Sequence, residues 1–137
     1  MKIVKLLLIL SVLLVGCSKD SEEVEPDPDL ASQVVGKYQL LSITVGSAVT
    51  NFPNADGRRG EYDIVRTDDT NVKIITSYYL AGDKLFASNL REGTVSKSGD
   101  TYTVNATDKS VFTIKGGNLT DSSINSENQK IVSVAKK

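Results

Sequence analysis

The sequence predicts an all-β domain, an antiparallel meander of about eight short strands curled into a small barrel, with a two-sheet β-sandwich as the alternative. Three observations predict it. From Gly36 onward, aromatic and β-branched residues fall in short runs. Gly, Asn, Asp and Ser separate those runs at close intervals. No stretch of the domain carries the repeat of a long amphipathic helix. Short sequential turns favour strands that pair with their chain neighbours, which is a meander rather than a set of crossings.

Each element has its own signal. Leu30 to Val35 is long enough for one helical turn, stopped by Gly36. Lys37 to Val45 reads as the first strand. Tyr38 and Leu40 share one face, but Leu41, Ile43 and Val45 share the other, so the strand either carries a bulge near Leu40 or is buried on both sides. Gly46 to Gly60 lacks a period and holds Pro53, Asn54, Asp56 and Gly57, which reads as a long loop. Glu61 to Arg66 alternates, with Tyr62 and Ile64 in phase. Thr67 to Thr70 is a turn, and Asn71 to Leu80 is the most regular strand: Val72, Ile74, Thr76, Tyr78 and Leu80 on one side. Ala81-Gly82-Asp83 turns the chain into Lys84 to Leu90.

Tighter hairpins follow. Thr94 to Ser96 turns through Lys97-Ser98-Gly99-Asp100 into Thr101 to Ala106, which aligns Tyr102, Val104 and Ala106. Ser110 to Lys115 sends Phe112 and Ile114 to the core. Gly116-Gly117 is a two-residue hairpin signal, because a primed turn needs positive φ at both positions. Asn118 to Ile124 and Gln129 to Ala135 complete the meander.

The N-terminus carries an address. Met1 to Lys5 is short and positively charged, and Leu6 to Val15 is apolar except for Ser11. At about ten residues this has the length of a signal-peptide core and falls short of the roughly twenty needed to span a bilayer. The run ends at Leu14-Val15-Gly16-Cys17. These residues resemble the lipobox of bacterial lipoproteins. The resemblance implies cleavage after residue 16, diacylglycerol on the Cys17 thiol and an acyl chain such as palmitate on the new amine. Cys17 is the chain's one cysteine, so an intrachain disulfide is excluded and lipidation accounts for a lone thiol in an exported protein. More than one acyl chain is what stable membrane anchoring requires.

Residues 17–29 form the lipidated cysteine and an acidic tether. Six of the chain's 17 acids lie between Ser18 and Asp29, with two prolines and a single apolar residue, Val24. Such a segment cannot bury enough surface to offset its entropy, and fully extended it reaches about 40 Å. Ser18 to Glu23 is similar to the surface-export signal of lipoproteins of the Bacteroidetes phylum, which implies an outer-membrane protein on the cell surface; a periplasm-facing anchor is the alternative.

The domain proper spans 30–137 and is close to neutral, with no basic stripe for nucleic acid. Its opening, Val35-Gly36-Lys37-Tyr38-Gln39-Leu40-Leu41-Ser42-Ile43, resembles the glycine–x–aromatic start of the lipocalins, with Tyr38 where that family has tryptophan. The resemblance implies a lipocalin-like barrel that binds a small apolar or amphipathic ligand, with Tyr38, Tyr62, Tyr78, Tyr102 and Phe112 as lining candidates.

Missing residue types narrow the chemistry. Without histidine there is no Ser-His-Asp triad and no His-bearing metal site. The residues call for no cofactor and no bound metal, and the chain reads as a non-enzyme. Carboxylate hydrolysis needs only two acids, and Glu61, Asp63 and Glu92 are the candidates, though no spacing marks a facing pair. Asp68 to Asn71 gathers oxygens but lacks the spacing of a calcium loop. Gly57-Arg58-Arg59-Gly60 is a basic loop tip suited to an anionic glycan or a protein partner. The alternative to ligand binding is therefore an envelope interaction protein with a filled barrel.

Overall fold

The computed structural model describes residues 29–137. The signal peptide, Cys17 and residues 18–28 of the tether lie outside the described residues. Nine strands form one antiparallel sheet: β1 (Gly36–Val45), β2 (Ala48–Asn51), β3 (Arg59–Arg66), β4 (Asn71–Leu80), β5 (Lys84–Ser98), β6 (Thr101–Ala106), β7 (Val111–Lys115), β8 (Asn118–Ile124) and β9 (Lys130–Lys136). From β3 to β9 every strand pairs with its chain neighbour, and β1 pairs with both β3 and β9. Eight strands thus close into a barrel, and β2 is an extra strand laid on β1. The barrel, not the sandwich, is the architecture.

Three local expectations hold and two are corrected. Among the described residues the single helix is one turn, α1 (Ala31–Val34), where Asp29 accepts the backbone N–H of Ser32. The phase change in β1 is a bulge: Leu40 faces Ala135 of β9, and the next pair is Ser42 with Val134. Gly116 and Gly117 both take positive φ, 56° and 78°, as a primed hairpin turn demands. The expected loop over 46–60, however, contains β2. The strand escapes a reading by alternation because all four of its residues are exposed. The expected break after Leu90 is also absent. β5 runs unbroken from Lys84 to Ser98, with Arg91, Gly93 and Val95 facing inward.

β2 and β3 lie end to end along the same edge of β1. Ser42 to Val45 pairs with β2, and Gly36 to Gln39 pairs with β3. They are in effect one long strand interrupted by an excursion over residues 52–58. That excursion leaves from Phe52, whose N–H still donates to Leu41, passes a cis Phe52–Pro53 peptide, and returns at Arg58. It opens the wall of the barrel at one end.

The two ends differ. At the first, α1 adds Ala31 and Val34, both fully buried, to the apolar core that also holds Ile64, Val72, Val104, Ile114, Leu119 and Ala135. Tyr38 donates its hydroxyl to the Val34 carbonyl and ties helix to barrel. Lys137 donates from Nζ to the Val35 carbonyl and lies 5.8 Å over the Tyr38 ring, so a basic residue after the last strand packs on the opening aromatic. At the other end are the β1–β2 turn, the 52–58 excursion, and the β4–β5, β6–β7 and β8–β9 turns.

Candidate functional site

Two features occupy that second end. One is a buried polar cluster inside the wall. Arg91 points inward from β5, beneath its inward neighbour Gly93, whose site leaves no room for a methyl group: a Cβ there would sit 2.7 Å from Val104 Cγ1. The Arg91 guanidinium donates from Nη2 to Thr76 Oγ1 at 2.7 Å and from Nη1 to Ser110 Oγ and Asp121 Oδ2, both at 3.2 Å. Its Cζ lies 4.5 Å from the Phe112 ring centroid, a cation–π contact in a desolvated setting. Tyr62 donates its hydroxyl to the same Asp121 oxygen at 3.2 Å, and its ring meets Phe112 edge-on at 6.0 Å.

The cluster is charged, paired and incompletely satisfied. Arg91 Nε and Asp121 Oδ1 are buried without a hydrogen-bond partner. Burial pushes the Asp121 carboxyl above its ordinary value, and the Arg91 charge offsets only part of that. Burial also raises the Tyr62 phenol, and the nearby Asp121 charge raises it further. Tyr78 is raised by burial first and by the Asp121 charge second.

The second feature is the cleft where the wall opens. It is an open space of about 230 Å³ lined by Thr50, Phe52, Asn54, Arg58, Arg59, Tyr78, Tyr79, Leu80 and Phe86. Four aromatic rings and Leu80 make its surface, and Arg58 and Arg59 stand on it. Asn54 shapes the excursion: its side-chain oxygen accepts the backbone N–H groups of Asp56 and Arg58. Arg59 is held in place. It donates to Asp83 at 2.8 Å and to Glu61 at 3.1 Å, and its Cζ stacks 3.8 Å from the Tyr79 centroid. The Tyr79 hydroxyl in turn donates to Glu61. Arg58 is exposed and makes no ion pair among the described residues. A larger depression of about 450 Å³ between the β6–β7 and β8–β9 turns is lined by polar groups such as Asp108, Ser122, Asn128 and Lys130, without an aromatic ring.

The candidates from sequence fall in three places. Tyr38, Tyr62 and Phe112 are fully buried in the packed interior. Tyr102 is half-buried, with Lys97 Nζ 5.3 Å from its ring. Tyr78 lines the cleft, together with Arg58 and Arg59 from the basic tip. Glu61 and Asp63 stand two apart on β3, each 3.9 Å from Lys37 Nζ, whereas Glu92 pairs with Lys73 on β4 and β5. The Asp68 carboxylate serves its own turn, accepting from the backbone of Thr70 and Asn71 and from the Asn71 amide.

Sequence reasoning missed Phe52, Leu80 and Phe86 of the cleft and both charges of the cluster. A signal existed for the charges. Arg91 is in phase with Gly93 and Val95, and Asp121 with Leu119, all of them inward.

No protein-family model matches the chain, and no curated protein matches it. Solved structures do. The chain is similar to a redesigned β-barrel (TM-score 0.51, 11% identity, covering 82% of this chain and 98% of that one). It is also similar to the redesigned β-barrel mFAP1, solved bound to DFHBI (TM-score 0.49, 15% identity, 80% and 99% covered), and to a de novo fluorescence-activating β-barrel (TM-score 0.42, 10% identity, 80% and 97% covered). At such identities the first likeness carries the fold: the protein is a small closed antiparallel β-barrel. Its own distinguishing feature is an aromatic cleft where one wall is interrupted.

Proposed function

We propose that this chain is an outer-membrane lipoprotein, anchored through Cys17 and displayed on the cell surface, whose barrel binds a small apolar or amphipathic ligand without transforming it. One observation carries the ligand reading: the cleft among Phe52, Tyr78, Leu80 and Phe86, with the exposed Arg58 on its rim. A concave apolar surface with few polar groups is the usual form of a small-molecule site. The aromatic walls suit the apolar part of an amphipathic ligand and Arg58 a negative head.

Native mass spectrometry of the full chain, extracted from membranes in detergent, tests the ligand. A bound small molecule is expected with the wild type and is lost in Leu80→Glu, whose charge would enter the cleft. Absence of any bound molecule, together with no uptake of an apolar fluorescent dye, would remove the ligand reading. For the anchor, Cys17→Ser should abolish incorporation of labelled palmitate, and protease added to intact cells should reach the wild-type domain.

A second reading has its own support. Tyr38, Tyr62 and Phe112 fill the barrel interior rather than bordering a central cavity. That favours an envelope interaction protein that recruits a protein or glycan through its loops, with Arg58 and Arg59 as contacts.

A further inference from the structure

β5 is longer than the strand beside it. It pairs with β4 from Lys84 to Thr94, but with β6 only from Gly93 onward. The β6–β7 turn reaches as far as Glu92, whose carbonyl accepts the Thr107 N–H. Between Lys84 and Arg91, β5 therefore presents a strand edge that pairs with no other strand among the described residues. Backbone groups along a strand point alternately to its two sides. Val95 donates its N–H toward β4, to Thr70, and Glu92 turns its carbonyl the other way. Ser88 and Leu90 are in step with Glu92, so their N–H and C=O groups point outward from the sheet.

The side chains on this edge are unusual for water. Leu85, Phe86 and Leu90 are 54%, 71% and 56% exposed. No charged residue lies between Lys84 and Arg91. Proteins normally blunt such edges with charge, shortness or a bulge. Here the bulge comes only at Phe86, where Tyr78 pairs with Ala87 and Tyr79 with Leu85, and it leaves Ala87 to Arg91 regular.

We propose that this edge pairs with the same edge of a second copy of the chain, as an antiparallel two-fold dimer centred on Ser88. The pattern is self-complementary. Two-fold pairing sets a segment against itself, so a charge near the centre would face its like, and the centre has none. The small side chains Ala87 and Ser88 allow close approach. With the axis at Ser88, the two Ser88 residues exchange backbone hydrogen bonds, and Leu90 falls beside Phe86 of the second copy. Sliding the axis toward Leu90 would drive the β4–β5 turn of one copy into β6 of the other, since β6 covers this side of β5 from Gly93, the partner of its last residue Ala106, onward. The edge lies at the end of the barrel opposite α1.

The sole natural cysteine is Cys17, which makes thiol crosslinking a clean test. Opposed residues of an antiparallel pair lie within the Cα separation a disulfide accepts. Ser88→Cys in the full exported chain is expected to give a band at twice the monomer mass on a non-reducing gel. The wild type serves as the blank, and Thr113→Cys, exposed in the middle of the fully paired β7, as the position control. Adding Leu90→Lys, at an exposed site, should remove the band. A Ser88→Cys dimer no stronger than that of Thr113→Cys would overturn the proposal. So would indifference to Leu90→Lys, or a crosslink to a different protein. Phe86 is shared by the cleft and this edge, but the crosslink is read at Ser88, which does not line the cleft, and in protein with no ligand added.

Discussion

The two ends of the barrel interior solve the same packing problem with different materials. At the α1 end the space is filled by Ala31, Val34, Ile64, Val72, Val104 and Leu119, all essentially without solvent contact. At the other end it is filled by Arg91 and Asp121, with Thr76, Ser110 and Tyr62 as their partners. An aliphatic end needs only volume. A charged end needs geometry, because each group is costly unless its partner is in place. The division teaches where the fold draws its stability and where it fixes a unique arrangement. The charged pair also lies toward the same end of the barrel as the cleft.

Breaking the charged end should have the largest effect. Arg91→Met leaves Asp121 buried without its counter-ion and should cost about 3–5 kcal/mol in denaturant unfolding. Arg91→Met combined with Asp121→Leu should recover most of that loss, because an apolar pair of similar volume replaces a buried ion pair at little net cost. If the double variant stays as unstable as the single one, geometry rather than uncompensated charge holds this end. At the aliphatic end, Leu119→Ala should cost about 2–5 kcal/mol through lost burial and the cavity left behind, measured the same way. No second substitution of the charge type should rescue it.

The smallest effect carries the sharpest sign. Asp121 has a folded value above the ordinary 3.8, so the folded state binds its proton more readily than the unfolded chain. As pH falls through that raised value toward 3.8, the wild type should gain stability relative to Asp121→Asn. Asp68 is opposite. The Asn71 amide and the turn's N–H groups hold its carboxyl below 3.8, so its contribution is present above 3.8 and lost as pH falls through the lowered value. The wild type should therefore lose stability relative to Asp68→Asn in that acid range. Unfolding curves for both variants at neutral pH and down to pH 3 would show the two trends diverging.

Most of the barrel is legible in the sequence, because a wall with one dry face imposes alternation on every strand. Asn71 to Leu80 is the plainest case, and even the bulge of β1 shows as a slip of phase at Leu40. What escapes is what breaks that premise. β2 has no buried face, so it has no period. Arg91 is a charge on the dry face, where a reader expects charges to point outward. Of the cleft, Tyr78, Arg58 and Arg59 stand out, one by phase and two by their glycine-flanked tip. Phe52 and Phe86 do not, since one sits in an excursion and the other at a bulge without a pairing partner.

The seam between β1 and β9 bears on how the chain reaches its destination. The Lys137–Val35 contact joins positions 102 apart, and the whole β1–β9 ladder is of that kind. Contacts of such sequence separation form late, because the loop between them must be closed first. A chain exported N-terminus first would emerge with β1 holding an open flank until β9 had crossed as well. The proposed lipid anchor at Cys17 would then tether a half-made barrel to the membrane before its last stave arrives, and closing that seam would mark the moment at which the flanks of β1 and β9 are no longer open to mispairing.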